Sequence, residues 1–155
     1  MRITGGEFGG RNLKVPKTDL IRPTQDRVRE ALFNIIQFEV KGSDFLDLFA
    51  GLGAVGLEAM SRALSRGAKS VTFVEQNRVH LKVLGENLEM VGGRTQDLRP
   101  KTMVVAADAY RWLVSYSGPG FSIAFADPPY ALGAIPEGCF DAVELSRTAE
   151  ASDWI

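Results

Sequence analysis

Four acidic residues, Asp47, Glu75, Asp108 and Asp127, stand at or just beyond the ends of four successive short apolar runs, and the last opens the tetrapeptide Asp127-Pro128-Pro129-Tyr130. Two consecutive prolines lack amide N–H groups and fix φ, so they end a strand and hold a stiff, extended turn with its carbonyls outward. Asp127 and the Pro128 carbonyl then form a preset pair of acceptors beside the flat face of Tyr130. A planar group with an exocyclic amine, such as a nucleobase, suits this arrangement: the acceptors receive its N–H bonds while its ring stacks on the tyrosine. An ordinary strand-ending turn would use the same residues, and the tetrapeptide alone does not separate the two.

The second constellation is Gly51-Leu-Gly53-Ala-Val-Gly56, which follows the first apolar run and opens a helical pattern. Glycines there permit a tight turn and close approach of a ligand, and the helix start behind them favours negative charge. Glu75 ends the next strand nineteen residues after Gly56, where a carboxylate accepts both hydroxyls of a ribose. A nicotinamide dinucleotide would put its pyrophosphate over the glycines, close to Asp47, which opposes it. An acid at Asp47 suits a cationic head instead, such as the amino group of S-adenosylmethionine. Asp108, after the third strand, is placed to accept from an adenine amine. Any one of these acids is explained equally well as a loop or capping residue; four in register are not.

The elements that must position these residues alternate. Apolar runs at Phe45–Phe49, Val71–Val74, Met103–Ala106 and Phe121–Ala126 read as strands, and Leu81, Leu84, Leu88 and Val91 mark the clearest helix between them. That pattern predicts an α/β fold with a doubly wound, mostly parallel sheet. The 155 residues fit a single domain, with residues 1–22 as a basic arm or hairpin and 23–155 as the α/β body. Four glycines between Ile3 and Leu13 suggest a hairpin or extended arm rather than core. Pro23 sets up a helix with Thr24 as N-cap, and Val28, Leu32, Ile35 and Ile36 form an apolar stripe on it. Arg22, Arg27 and Arg29 cluster at its start, within reach of an anionic ligand.

Net charge is −1, but residues 1–29 carry seven basic side chains against three acidic ones, leaving −5 on the rest. A basic end on an acidic body is the asymmetry expected of a surface that meets phosphates, though a solvated tail would look the same. No apolar run approaches the roughly 18 residues of a membrane span. One cysteine, Cys139, and one histidine, His80, argue against a His/Cys zinc site and fit a reduced, cytoplasmic setting. His80 reads as a surface side chain, while Trp112 and Leu113 read as packing a short helix onto the sheet.

Taken together, these residues resemble a known family. Asp47-Leu-Phe-Ala-Gly-Leu-Gly-Ala-Val-Gly-Leu-Glu58 is similar to the first motif of class I S-adenosylmethionine-dependent methyltransferases, and Asp127-Pro-Pro-Tyr130 to their amino-methylating motif. Arg2-Ile-x-Gly-Gly, Gly10-Arg11-x-Leu13 and Arg22-Pro-Thr-x-Asp-Arg-Val-Arg-Glu30 resemble, more narrowly, the RsmD family. The resemblance covers residues 1 to about 135. It implies a Rossmann-like methyltransferase fold and transfer of a methyl group from S-adenosylmethionine to N2 of a guanine in 16S ribosomal RNA. Asp47, Phe49, Gly51, Gly53, Glu75, Asp108, Ala109 and Thr24 would hold the cofactor. Asp127, Pro128, Pro129 and Tyr130 would hold the base, and Arg2, Arg11, Lys14, Arg22 and Arg27 the RNA of the small ribosomal subunit.

That chemistry needs neither metal nor activated nucleophile, only acceptors that turn the lone pair of the amine toward the methyl group. In the family pattern a fifth strand and a closing hairpin follow, so the sheet as given is expected to lack C-terminal strands. Two other readings stay open: an adenine-N6 methyltransferase acting on DNA, and a non-catalytic nucleotide-binding module. A single buried base is compatible with a monomer, which we expect.

Overall fold

A computed structural model describes residues 1–16, 26–66, 68–92 and 101–129. Its elements alternate as expected: α1 (Asp26–Ile35), β1 (Asp44–Leu48), α2 (Ala54–Arg66), β2 (Ser70–Glu75), α3 (Arg78–Gly92), β3 (Lys101–Ala106), α4 (Ala109–Ser115) and β4 (Ile123–Ala126). The four strands lie in the order β3-β2-β1-β4, and every neighbouring pair is parallel. The Rossmann-like, doubly wound reading therefore holds. Strand bounds differ from the apolar runs by one to two residues, because Asp44, Ser70 and Lys101 pair in the ladder without being apolar.

The two central strands are buried on both faces, as continuous apolar runs in a parallel sheet demand. Successive side chains alternate between two cores. Phe45, Val71 and Phe73 join Leu57, Leu84 and Phe33 on one face; Leu46, Leu48 and Val74 join Ala109, Leu113 and Phe121 on the other. Each such buried side chain contributes about 1.5–3 kcal/mol against chain entropy. Trp112 and Leu113 pack α4 on the second core as expected.

The N-terminal residues form a hairpin, with Arg2 and Asn12 bridged antiparallel, but they are not outside the core. Ile3, Phe8 and Leu13 are fully or almost fully buried in the first core. A tight double turn brings them together: the Ile3 amide donates to the Arg11 carbonyl at 3.0 Å, that of Gly10 to Ile3 at 2.8 Å and that of Leu13 to Met1 at 3.0 Å. The hairpin is fastened to α2 by Glu58, which is completely buried. Its carboxylate accepts from the Thr4 amide at 2.8 Å, the Thr4 hydroxyl at 2.7 Å and the Gly5 amide at 2.8 Å, and pairs with Arg62 at 3.1 Å.

Helix α1 also departs from its pattern. Val28 and Ile35 are exposed, and the buried face carries Arg29 and Phe33 instead, with Leu32 and Ile36 partly covered. Arg29 does not reach outward for an anion. Its guanidinium donates to Asp26 at 2.8 Å and to the Arg2 carbonyl, and stands 3.9 Å from Glu58. Two carboxylates compensate the buried cation, so it takes the place the apolar stripe was expected to fill.

Candidate functional site

The strand order dictates where a ligand would sit. From β1 the chain winds outward through β2 to β3, then crosses back to lay β4 on the other side of β1. At such a switch point the connections leave on opposite faces, opening a crevice at the carboxyl ends of β1 and β4. Leu48 pairs with Ala126, so Phe49 and Asp127 leave the sheet as neighbours at that crevice.

Asp47, the penultimate residue of β1, is only 1% exposed. Its Oδ2 accepts the Gly56 amide at 2.8 Å. Burial pushes its carboxyl up to about 7, with the negative charges of Glu75 and Asp127 adding to the effect and the Gly56 amide opposing it. Among the described residues no cationic side chain forms an ion pair with it. A buried carboxyl under this pressure favours a cationic visitor.

Beyond Asp47 the backbone turns sharply. Phe49 has φ 57° and Gly51 and Gly53 have φ 55° and 79°. Left-handed geometry costs a non-glycine residue of the order of 1–3 kcal/mol and gathers where function requires it. Gly56 is needed for space rather than conformation: a Cβ there would stand 2.2 Å from the Phe73 ring. Glu75 locks the turn from the next strand, its Oε2 accepting the Gly51 amide at 2.8 Å and its Oε1 the Asn77 amide at 2.7 Å. A carboxylate offers about four lone-pair directions, so two amides leave it capacity for hydroxyl donors.

Asp108 caps α4, accepting the Arg111 amide at 2.9 Å, and Ala109 behind it is buried. Asp127 and Pro129 are exposed and Pro128 is half-buried. Tyr130, Thr24 and Arg22 lie outside the described residues. The structure thus puts Asp47, Glu75, Asp108 and Asp127 at the carboxyl ends of four adjacent strands, with Phe49, Gly51 and Gly53 between the middle two. Of the basic residues, Arg11 donates to the Met90 carbonyl at 2.9 Å and lies over Phe8, Lys14 pairs with Glu86 at 3.0 Å, and Arg2 approaches Asp26 at 3.8 Å. Arg27 is exposed on α1.

Two residues at the site escaped the sequence. His80, read as a surface side chain, is a quarter exposed, with Nδ1 3.7 Å from Glu75 Oε1. Its place in the first turn of α3, five residues after Glu75, was the available signal. Tyr110 packs its ring edge-on against Phe49 at 5.3 Å, two residues after Asp108. No metal-binding cluster exists among the described residues, and no described helix is long and apolar enough to cross a membrane.

The family model described as Conserved hypothetical protein 95 matches residues 1–155. A protein of Escherichia coli K12 named Ribosomal RNA small subunit methyltransferase D is 39% identical over 137 residues, which is 88% of this chain. The chain spans 64% of that relative's length. A solved hypothetical protein of Thermus thermophilus superposes with a TM-score of 0.71 at 36% identity, over 86% of this chain and 71% of that one. A precorrin-6y C5,15-methyltransferase from Geobacter metallireducens GS-15 shares the fold, with a TM-score of 0.62 at 22% identity over 89% of this chain and 64% of the other.

Proposed function

The chain belongs to the RsmD family, described as Conserved hypothetical protein 95, and from that membership we propose that it transfers a methyl group from S-adenosylmethionine to the exocyclic N2 amine of a guanine in small-subunit ribosomal RNA, in the cytoplasm. The observation that carries the reading is the row of four acids at the carboxyl ends of β3, β2, β1 and β4, with Asp47 and Asp127 on the two strands that flank the switch point.

The residues fit the methyl donor. Asp47 is a buried carboxyl without a cationic partner among the described residues, which suits an ammonium group. Glu75 retains acceptor capacity for ribose hydroxyls, and Asp108 with Ala109 would take the adenine. When bound, S-adenosylmethionine supplies an electrophilic methyl group on a positively charged sulfur. The chain's own part is to hold the amine. Asp127 and the Pro128 carbonyl accept its two N–H bonds and draw its lone pair out of conjugation with the ring, and the sequence assigns Tyr130 to stacking on the base. Positioning of this kind supplies much of the barrier reduction in a direct displacement.

Within the expected RNA set, Arg27 is exposed and makes no ion pair or hydrogen bond among the described residues, and it supports the RNA reading together with the name of the Escherichia coli relative. The test is transfer of a labelled methyl group from S-adenosylmethionine to naked 16S RNA, to small-subunit particles and to duplex DNA in parallel. We expect label on RNA or particles, at N2 of a guanine. Label only on DNA overturns the reading.

A further inference from the structure

Tyr110 Oη is buried and has no hydrogen-bond partner among the described residues. A tyrosine in such a position is unfavourable compared with phenylalanine, because its hydroxyl has lost water and gained nothing in return. Buried unpaired polar groups are rare enough that each calls for a ligand, a water or a functional explanation. The neighbourhood of this one is specific. The ring rests at 68° against that of Phe49, the non-glycine residue held at φ 57° where β1 gives way to the glycine turn. Its backbone follows Asp108 and Ala109, at the end of β3. Strain and an unsatisfied hydroxyl therefore meet at one aromatic contact beside the crevice.

We propose that Tyr110 Oη is a hydrogen-bonding contact for the purine nucleoside part of the bound methyl donor. The inference rests on the reading under Proposed function, which assigns Asp108 and Ala109 to that nucleoside. A phenolic hydroxyl both donates and accepts, so it can meet a ring nitrogen or a ribose hydroxyl; the ammonium end of the donor lies with Asp47 instead. The hydroxyl is carried as a cost in the free protein and compensated when ligand binds.

The variant Tyr110→Phe removes the hydroxyl and leaves the ring. Binding of S-adenosylhomocysteine and of 5′-methylthioadenosine, which keeps the nucleoside but lacks the amino-acid part, is measured by calorimetry on both proteins, with thermal unfolding of each without ligand. We expect the free variant to unfold at the same temperature as the parent or higher, and both ligands to lose about three- to tenfold in affinity, the worth of one hydrogen bond. Unchanged affinity for both ligands, or a loss confined to S-adenosylhomocysteine, overturns the inference. So does a lowered unfolding temperature in the free variant, which would mean that a water already satisfies the hydroxyl. If the parent protein binds neither ligand, the methyl-donor reading itself fails, an outcome distinct from these.

Discussion

Asp47 Oδ2 accepts the Gly56 amide at 2.8 Å, joining the buried acid of β1 to the first turn of α2 across nine residues. The bond does two things. It satisfies one of the helix-start amides that have no partner within the helix, and it fixes one carboxyl oxygen while the chain makes its left-handed excursion through Phe49, Gly51 and Gly53. The same turn is held from the other side by Glu75 through the Gly51 amide at 2.8 Å. Two acids on adjacent strands therefore shape the glycine loop from within.

Gly56→Ala tests how tightly that loop is built. The new methyl group would stand 2.2 Å from Cε1 of Phe73 and 3.0 Å from Asp47 Oδ2, and Phe73 is fully buried with no room to yield. Overpacking of this kind costs about 1–3 kcal/mol. Thermal unfolding of the variant should fall by roughly 3–10 °C. A transition within a degree of the parent would show that the loop accommodates a side chain and that its glycine is not steric.

Asp47→Asn separates the charge of the acid from its hydrogen bond, since the amide oxygen still accepts from Gly56. The folded carboxyl titrates at about 7 against an ordinary 3.8. A raised value means that the stabilisation from the bound proton is complete below about 3.8 and is lost as the pH rises through about 7. The parent should therefore lose stability relative to Asp47→Asn across that window, by up to about 1.4 kcal/mol per pH unit. Urea unfolding of both proteins at pH 5 and pH 8 measures it. A difference that does not grow with pH would place the titration elsewhere.

How much of this was legible in the sequence depends on whether a contact is local. Phe45–Phe49 and Val71–Val74 announced themselves because strands buried on both faces are continuous apolar runs, and the site acids were readable because each follows such a run. Val28 and Ile35 misled: their helical spacing implied a core face, but Arg29 is buried there, bonded to Asp26 one turn earlier and paired across to Glu58, a carboxylate on another helix. No pattern within residues 24–36 contains that pairing. Ile3, Phe8 and Leu13 are spaced by five, which is neither a strand nor a helix period, so only the folded hairpin reveals them as core. His80 and Tyr110 approach Glu75 and Phe49 through contacts between elements, which their places in the sequence, five residues after Glu75 and two after Asp108, hint at but do not specify.

Glu58→Gln probes that hidden pairing. The carboxylate is fully buried, accepts from two amides, a hydroxyl and the Arg62 guanidinium, and stands 3.9 Å from that of Arg29. Breaking a buried ion pair from one side costs about 3–5 kcal/mol. Arg29 keeps Asp26, so the lower end is expected. Amide exchange at Ile3 and Leu13, whose N–H groups bond across the hairpin, should accelerate more than exchange in β1 and β2. Uniform acceleration throughout the sheet would mean that Glu58 supports global stability rather than the docking of the hairpin.

Asp127→Asn distinguishes a substrate acceptor from a strand-ending turn. Asparagine keeps one acceptor oxygen and replaces the other with a donor NH₂ that faces the donor amine of the base. Transfer should fall by about 10²–10³, the usual loss for one aligned group at a reacting centre. Donor binding should survive, because the donor is assigned to Asp47, Glu75 and Asp108 and not to Asp127. A second readout follows from its charge: Asp127 helps to raise the Asp47 carboxyl, so neutralising it should move the Asp47 titration to lower pH. An isotope-edited carboxyl spectrum reports that shift independently of activity. Lost transfer with an unmoved Asp47 would leave Asp127 a base-holding residue whose charge is screened from the donor side. An unaltered rate would make Asp127-Pro128-Pro129 an ordinary turn and sink its role in holding the amine.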